Sequence, residues 1–239
     1  MTDSTTSPAP EKSLDLSRYA SELRSGSEKN QLQLLHELAF LGEAGWELLR
    51  EFLLERRGLE AGLVEGKAYQ LLYQNEEGAN SEFLATYFPH GVVSVRSERG
   101  LDYTPLQQLL AQCDFQAADK LTMQNLCQLA GPNAVQRKWL YFTEVDKLPI
   151  GDLQAIDRLW RVYSEGKFGL TVQREIWLGV GKNWDKMWPK IGWKQGNNWT
   201  RYPHQFTWDL TAPRGHLPLF NQLRGVRVFE KLLSHPAWD

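Results

Sequence analysis

Between Lys190 and Val228 the chain reads KIGWKQGNNWTRYPHQFTWDLTAPRGHLPLFNQLRGVRV. Five large rings, Trp193, Trp199, Tyr202, Phe206 and Trp208, stand among the cations Lys194, Arg201, Arg214, Arg224 and Arg227. Gly192, Gly196, Pro203, Pro213 and Gly215 interrupt the stretch, so much of it cannot be regular helix. A loop seldom holds so many rings unless it is a wall or lid of a site. Rings take flat apolar partners and the cations take anionic ones, and two ligand classes have both properties. Single-stranded nucleic acid stacks its bases on rings and gives its phosphates to Lys and Arg. A tetrapyrrole is a flat apolar disc with carboxylates on one edge, which the planar fork of Arg suits better than Lys does. Asn221, Arg224 and Arg227 are spaced i, i+3, i+6, which on a helix places Arg227 about 60° round from Arg224. A solvated basic face has the same spacing.

No other pattern argues for catalysis. The histidines, His36, His90, His204, His216 and His235, include no pair at i, i+4, and Cys113 and Cys127 have no histidine companion, so no metal site is expected. GVGKN lacks the upstream Gly and the following Ser/Thr of a phosphate loop. No paired carboxylates suggest acid–base work. The two thiols are too few for a disulfide scaffold and are expected to be buried and free. Trp139, Trp160, Trp177 and Trp188 fall at helical spacing or helix ends and fit an ordinary core.

The elements that must position the loop are helical. Apolar residues are 42% of 239, enough for a sizeable core, and no apolar run is long enough to span a membrane. The first residues have neither the basic and apolar regions of a signal peptide nor the Arg-rich character of a transit peptide, which points to the cytoplasm. Residues 1–13 are Ser/Thr/Pro-rich and expected to be disordered. Residues 14–74 read as short antiparallel helices, 75–88 as a polar linker, and VVSV as at most a lone strand. Helices are then expected from Thr104 to about Gln112, from Asp114 to Gly131, from Asp152 to Gly166, from Thr171, over WDKMW, and from Leu219 to Ser234. No two strands pair, so the fold class is all-α, with a boundary near Phe88 dividing residues 1–87 from 88–239. Charge divides the chain too: residues 1–135 carry 11 Lys+Arg and 19 Asp+Glu, and residues 136–239 carry 16 and 10. The basic half, with nine of the ten Trp, suits an anionic ligand with a flat face, while the acidic half would repel a long polyanion.

The loop and three further blocks, GLDYTPLQQLLAQCDFQAADKLT, LAGPNAVQRKWLYFTEVDKLP and LWRVYSEGKFGLTVQREIW, resemble the core of the genomes-uncoupled family over residues 88–239. The helices before them resemble the bundle preceding this core in cyanobacterial members. The resemblance implies an all-helical core shaped like a cupped hand, which cradles protoporphyrin IX or Mg-protoporphyrin IX. It implies a non-enzymatic regulator that activates the large porphyrin-binding subunit of magnesium chelatase in chlorophyll synthesis, with peripheral contact with a photosynthetic membrane allowed and no nucleic-acid partner. Phe142, Phe168, Trp199, Tyr202 and Phe206 match the family's apolar faces, and Leu170 stands where some relatives have an aromatic. Asn221, Arg224 and Arg227 match its polar rim, and Arg201 adds a cation within the loop. His204 is the one candidate axial ligand in the loop, so magnesium is expected to be held by water and by no protein side chain.

Overall fold

The computed structural model describes residues 16–75, 78–220 and 225–239. It is all-α with one minimal hairpin. The expected disorder of residues 1–13 lies outside the described residues.

Five helices come first: α1 (Leu16–Ser25), α2 (Glu28–Ala39), α3 (Glu43–Glu55), α4 (Leu63–Gln74) and α5 (Gly78–Tyr87). Leu34, Leu35 and Leu38 of α2 meet Leu49, Phe52 and Leu53 of α3 in one buried stripe. Ser27 caps α2 by accepting the Asn30 N–H. The stretch expected to be a linker contains α5, whose Leu84 is buried. VVSV is not a strand. Gln107 does the work a pairing strand would do there, accepting the Val93 N–H at 2.8 Å and donating to the carbonyls of His90 and Val93.

Then follow α6 (Thr104–Ala111), α7 (Phe115–Ala130), α8 (Pro132–Arg137), α9 (Phe142–Val145), α10 (Ile150–Val162), α11 (Leu170–Gly179) and α12 (Trp184–Lys190). Asp114 caps α7 as expected, accepting the Ala117 N–H at 2.9 Å. Asp152 is no cap. It is buried inside α10, where it accepts the Tyr103 O–H at 2.6 Å and the Glu98 N–H at 3.0 Å. Cys127 is buried, whereas Cys113 is half-buried in a left-handed turn between α6 and α7. Strands β1 (Lys194–Gln195) and β2 (Asn198–Trp199) pair antiparallel, which corrects the expectation of no paired strands. The last helix, α13 (Arg227–Leu233), is shorter than expected: Leu219 and Phe220 are not helical.

Helix α4 joins the first helices to the rest. Gln70 is buried and donates from Nε2 to the Leu110 carbonyl at 2.9 Å and the Tyr163 carbonyl at 2.8 Å. Lys67 pairs with Glu165 at 2.9 Å. Gly66 lets α4 press against the end of α10: a Cβ there would lie 2.3 Å from Val162 Cγ1 and 2.6 Å from its carbonyl oxygen.

The segment from Ile191 to Phe220 is held by side chains, two of its own and two from the chain before it. His216 is buried, with Nδ1 2.6 Å from the Ile191 carbonyl and Nε2 3.3 Å from the Thr207 amide nitrogen. That arrangement needs the neutral tautomer, with Nδ1–H donating and Nε2 accepting. Trp193 donates from Nε1 to the His216 carbonyl at 2.8 Å. Gln173 of α11 donates to the carbonyls of Gly215 and Pro218, and Lys167 to that of Leu210. Behind the segment Trp177, Trp184, Trp188 and Trp193 stack in series, at centroid spacings of 5.2, 4.9 and 5.7 Å, and Trp193 stacks on Phe229 of α13 at 5.3 Å.

Two predictions follow from these contacts. Gly66→Ala gains about 1 kcal/mol of helix propensity but overpacks the crossing with Val162. Denaturant unfolding should show a net loss of ~1–3 kcal/mol, and an unchanged or raised stability would mean the two helices do not cross this closely. Burial holds the His216 imidazole below its usual pKa. Its contribution is therefore complete above about pH 6.5 and is lost as pH falls through that value, because the unfolded chain takes up the proton first. Between pH 7 and pH 5 wild-type stability should fall more steeply than that of His216→Gln, with equal slopes counting against the neutral pin.

Candidate functional site

The pinned segment forms one side of a cavity of about 1530 Å³. The opposite side is the outer face of α7, with Lys120, Met123, Gln124, Cys127 and Gln128, extended by Val135 and Lys138 at α8. The hairpin and the loop after it supply Trp199, Arg201, Tyr202, Gln205 and Phe206, and Leu219 and Phe220 close the end. The cavity mixes large rings with many polar and charged side chains and is larger than most drug-sized pockets require.

Local geometry explains why these rings face the cavity. The β1–β2 turn is Gly196–Asn197, and Thr200 fixes its base by donating from Oγ1 to the Gly192 carbonyl at 2.9 Å. Trp199, 38% exposed, leans on the buried Trp188 at 5.6 Å, and Lys194 lies over its ring at 5.3 Å. After Arg201 the chain turns on itself: the Arg201 amide donates to Gln205 Oε1 at 2.9 Å and the Gln205 amide to the Arg201 carbonyl at 3.0 Å. That turn presents Tyr202, 50% exposed, edge-on to Trp208 at 5.9 Å. Trp208 is in turn fixed through Nε1 to the Pro203 carbonyl at 3.0 Å. Phe206 packs on the His216 ring at 5.1 Å, so the histidine pin also supports an aromatic wall residue.

Four of the residues singled out from sequence therefore come together on the cavity: Trp199, Arg201, Tyr202 and Phe206. Phe168 and Leu170 do not. Both are fully buried, with Phe168 against Phe115 of α7 at 5.5 Å and Trp160 of α10 at 6.4 Å. Phe142 is half-buried on α9 with the Arg227 guanidinium 5.4 Å over its ring, and neither residue lines the cavity. Asn221 and Arg224 lie outside the described residues. The histidine named as a candidate axial ligand, His204, is exposed and does not line the cavity. Among the described residues no group of three His, Cys, Asp or Glu could hold a metal ion.

Sequence reasoning overlooked the α7 side. Lys120, Gln124 and Gln128 are exposed at i, i+4, i+8 beside the half-buried Met123. A polar stripe edged by a flexible thioether was the available signal, and it reads equally well as an ordinary solvated helix face. Asp119 also lines the cavity although it is only 7% exposed. Its Oδ1 accepts the Leu219 N–H at 2.6 Å, and burial, offset in part by that hydrogen bond and by Lys120, pushes its carboxyl up to about 7.

A second hollow of about 510 Å³ lies between Ala61–Leu63, α10 and the C-terminus. Its Arg158 already pairs with Glu60 at 3.2 Å, and Asp157 accepts from both the amide and the hydroxyl of Thr171. One ring, Trp238, lines this hollow, against Trp199, Tyr202, Phe206 and Phe220 in the larger cavity.

Comparison with known proteins agrees with this architecture. Residues 96–236 match the family described as GUN4-like, and residues 8–89 match an ARM-like repeat domain described as GUN4 N-terminal. A Ycf53-like protein of Synechocystis is 49% identical over 226 residues, covering 94% of this chain and 97% of its own length. A tetrapyrrole-binding protein of Arabidopsis thaliana chloroplasts is 40% identical over 142 residues, covering 56% of this chain and 54% of its own. The solved structure of GUN4 from Chlamydomonas reinhardtii superposes with a TM-score of 0.58 at 41% identity, covering 62% of this chain and 97% of that one. A family match across more than half of the chain, and near-half identity along almost all of it, establish that the chain belongs to the GUN4-like family.

Proposed function

We propose that the chain binds a tetrapyrrole, protoporphyrin IX or its magnesium complex, in the large cavity and serves as a regulator that stimulates magnesium chelatase in chlorophyll synthesis without itself catalysing a reaction. The observation that carries this reading is the meeting of Trp199, Tyr202 and Phe206 with Arg201, Lys120 and Lys138 around one cavity of about 1530 Å³. The name of the Arabidopsis relative supports the ligand class. Rings meet the disc and cations meet its propionates. Removing a few hundred Å² of porphyrin face from water is worth several kcal/mol at roughly 25 cal/mol/Å², before ordering costs. Magnesium, where present, is held by the macrocycle and water. The partner is the large porphyrin-binding subunit of the chelatase. No helix among the described residues is long and apolar enough to cross a membrane, and any photosynthetic-membrane association in this reading is peripheral.

Within the cavity this chain's own residues bind and orient. Tyr202 and Trp199 cover one face, and Arg201 fixes the carboxylate edge through charge-assisted hydrogen bonds. Arg224, Asn221 and Arg227 remain the proposed rim, and the division into residues 1–87 and 88–239 remains part of the proposal. The first unit contributes stability or partner contact, the second holds the ligand.

Titration with protoporphyrin IX followed by Trp quenching should saturate, and a labelled single-stranded oligonucleotide should not compete. Saturation by the oligonucleotide alone would discard the tetrapyrrole. A reconstituted chelatase assay should show faster magnesium insertion with the protein than without, and no acceleration removes the regulatory half of the reading. Arg201→Ala should weaken protoporphyrin binding about 3- to 10-fold, with a smaller salt dependence than wild type. Tyr202→Ala should weaken it by a similar factor with the salt dependence unchanged, since only apolar contact is lost. Matching salt slopes for the two variants would mean that the disc lies otherwise. A fragment starting near Phe88 should bind with near full-length affinity yet melt lower, because the face that α4 covers on α10 is left open. A folded fragment without binding would contradict the division.

A further inference from the structure

The cavity wall carries one carboxyl group that recognition of an acidic disc does not need. Among the described residues Asp119 is the only acid lining the cavity. Burial disfavours the charged form of this carboxyl, while Lys120 and the Leu219 amide favour it. Asp119 keeps 7% exposure, and it opens into the cavity that an incoming flat ligand would fill.

We propose that Asp119 is a ligand-linked proton site: the cavity takes its anionic tetrapyrrole with Asp119 as the neutral acid, so that binding consumes a proton from solution. This rests on the ligand reading above. The balance is one carboxylate, one proton from the buffer and one ligand, giving one carboxylic acid and the bound complex. Two effects drive it in the same direction. The apolar disc strips water from a group whose described partner is a single amide, and the ligand's own carboxylates add like charge. The acid form keeps the Leu219 N–H on its carbonyl oxygen and gains an O–H to donate into the cavity.

The groups facing Asp119 do not supply the same response. Lys120 is its neighbour on α7, Lys138 follows α8, and Arg201 comes from the loop after β2. Burial raises both the Tyr202 phenol and the Cys127 thiol, moving them further from neutrality. Burial has already brought the Asp119 carboxyl to about 7 in the free protein, so a ligand that raises it further takes up a proton at the pH where it binds.

The test is calorimetric titration of the full chain with protoporphyrin IX at pH 7.5, in two buffers of different ionisation enthalpy. Wild type should take up a substantial fraction of one proton per ligand. Its affinity should weaken as pH rises from 6.5 to 8.5, by about tenfold per unit at most. Asp119→Asn keeps an acceptor for Leu219 and should show neither the uptake nor the slope, and Asp119→Ser serves if the first variant does not fold. Equal uptake by wild type and variant overturns the proposal, as does saturable binding by wild type with no uptake, which leaves the ligand reading intact. Absence of any saturable binding overturns both.

Discussion

Irregular backbone can form a wall only where its amides and carbonyls find partners other than water. From Ile191 to Phe220 this chain has two two-residue strands and no helix. His216 and Trp193 from within the segment, and Gln173 and Lys167 from outside it, supply the missing partners. The neutral imidazole is the centre of that arrangement. It holds the Ile191 carbonyl on one nitrogen, the Thr207 amide on the other, and the Phe206 ring against its face. Loss of the acceptor on Nε2 would release the amide directly behind the wall.

The rings divide into two kinds by the same logic. Trp160, Trp193 and Phe168 are fully buried, and Trp177 and Trp188 nearly so. They build the support. Trp199 and Tyr202 are left half-open on top of it. A sequence shows ten tryptophans without saying which are which, because burial depends on partners far away in the chain. Trp188 stacks under Trp193 at 5.7 Å only because α12 and β1 are brought together by the turn at Gly192. Expecting an ordinary core role for Trp160, Trp177 and Trp188 was sound on helical spacing. Phe168 and Leu170, matched to the cavity faces by resemblance, are fully buried.

Local signals were read well where they were local. Asp114 caps α7, and Gly131 with Pro132 ends it. The all-α class follows from 3.6-residue periodicity in almost every segment. Errors arose where a distant group claimed a residue. Asp152 looked like a cap because aspartate before an apolar run usually is one, but Tyr103 and Glu98 take its oxygens. Leu219 and Phe220 looked helical by pattern, yet the Leu219 amide goes to Asp119, one hundred residues earlier, and Phe220 stacks on Phe229 at 5.1 Å. The hairpin was legible and missed: Gly-Asn between two short runs is a two-residue turn signal, and only the brevity of the strands concealed it. Half of the cavity was illegible for another reason. The α7 face becomes a wall only when the loop folds over it, and no spacing within α7 says so.

The half-open rings also bear on what kind of binding the cavity can deliver. A ligand gripped on all sides by buried side chains leaves slowly, because affinity differences lie mostly in the off-rate. Here the contact rings retain 38% and 50% of their exposure, and Arg201 sits at the surface beside them. Rigid support with an open contact face lowers the ordering cost of binding without enclosing the ligand. For the tetrapyrrole regulator proposed above, that combination allows a ligand to be held and released without unfolding the wall. The backing stack from Trp177 to Phe229 holds the wall from behind, and Trp199 and Tyr202 keep one edge open to solvent.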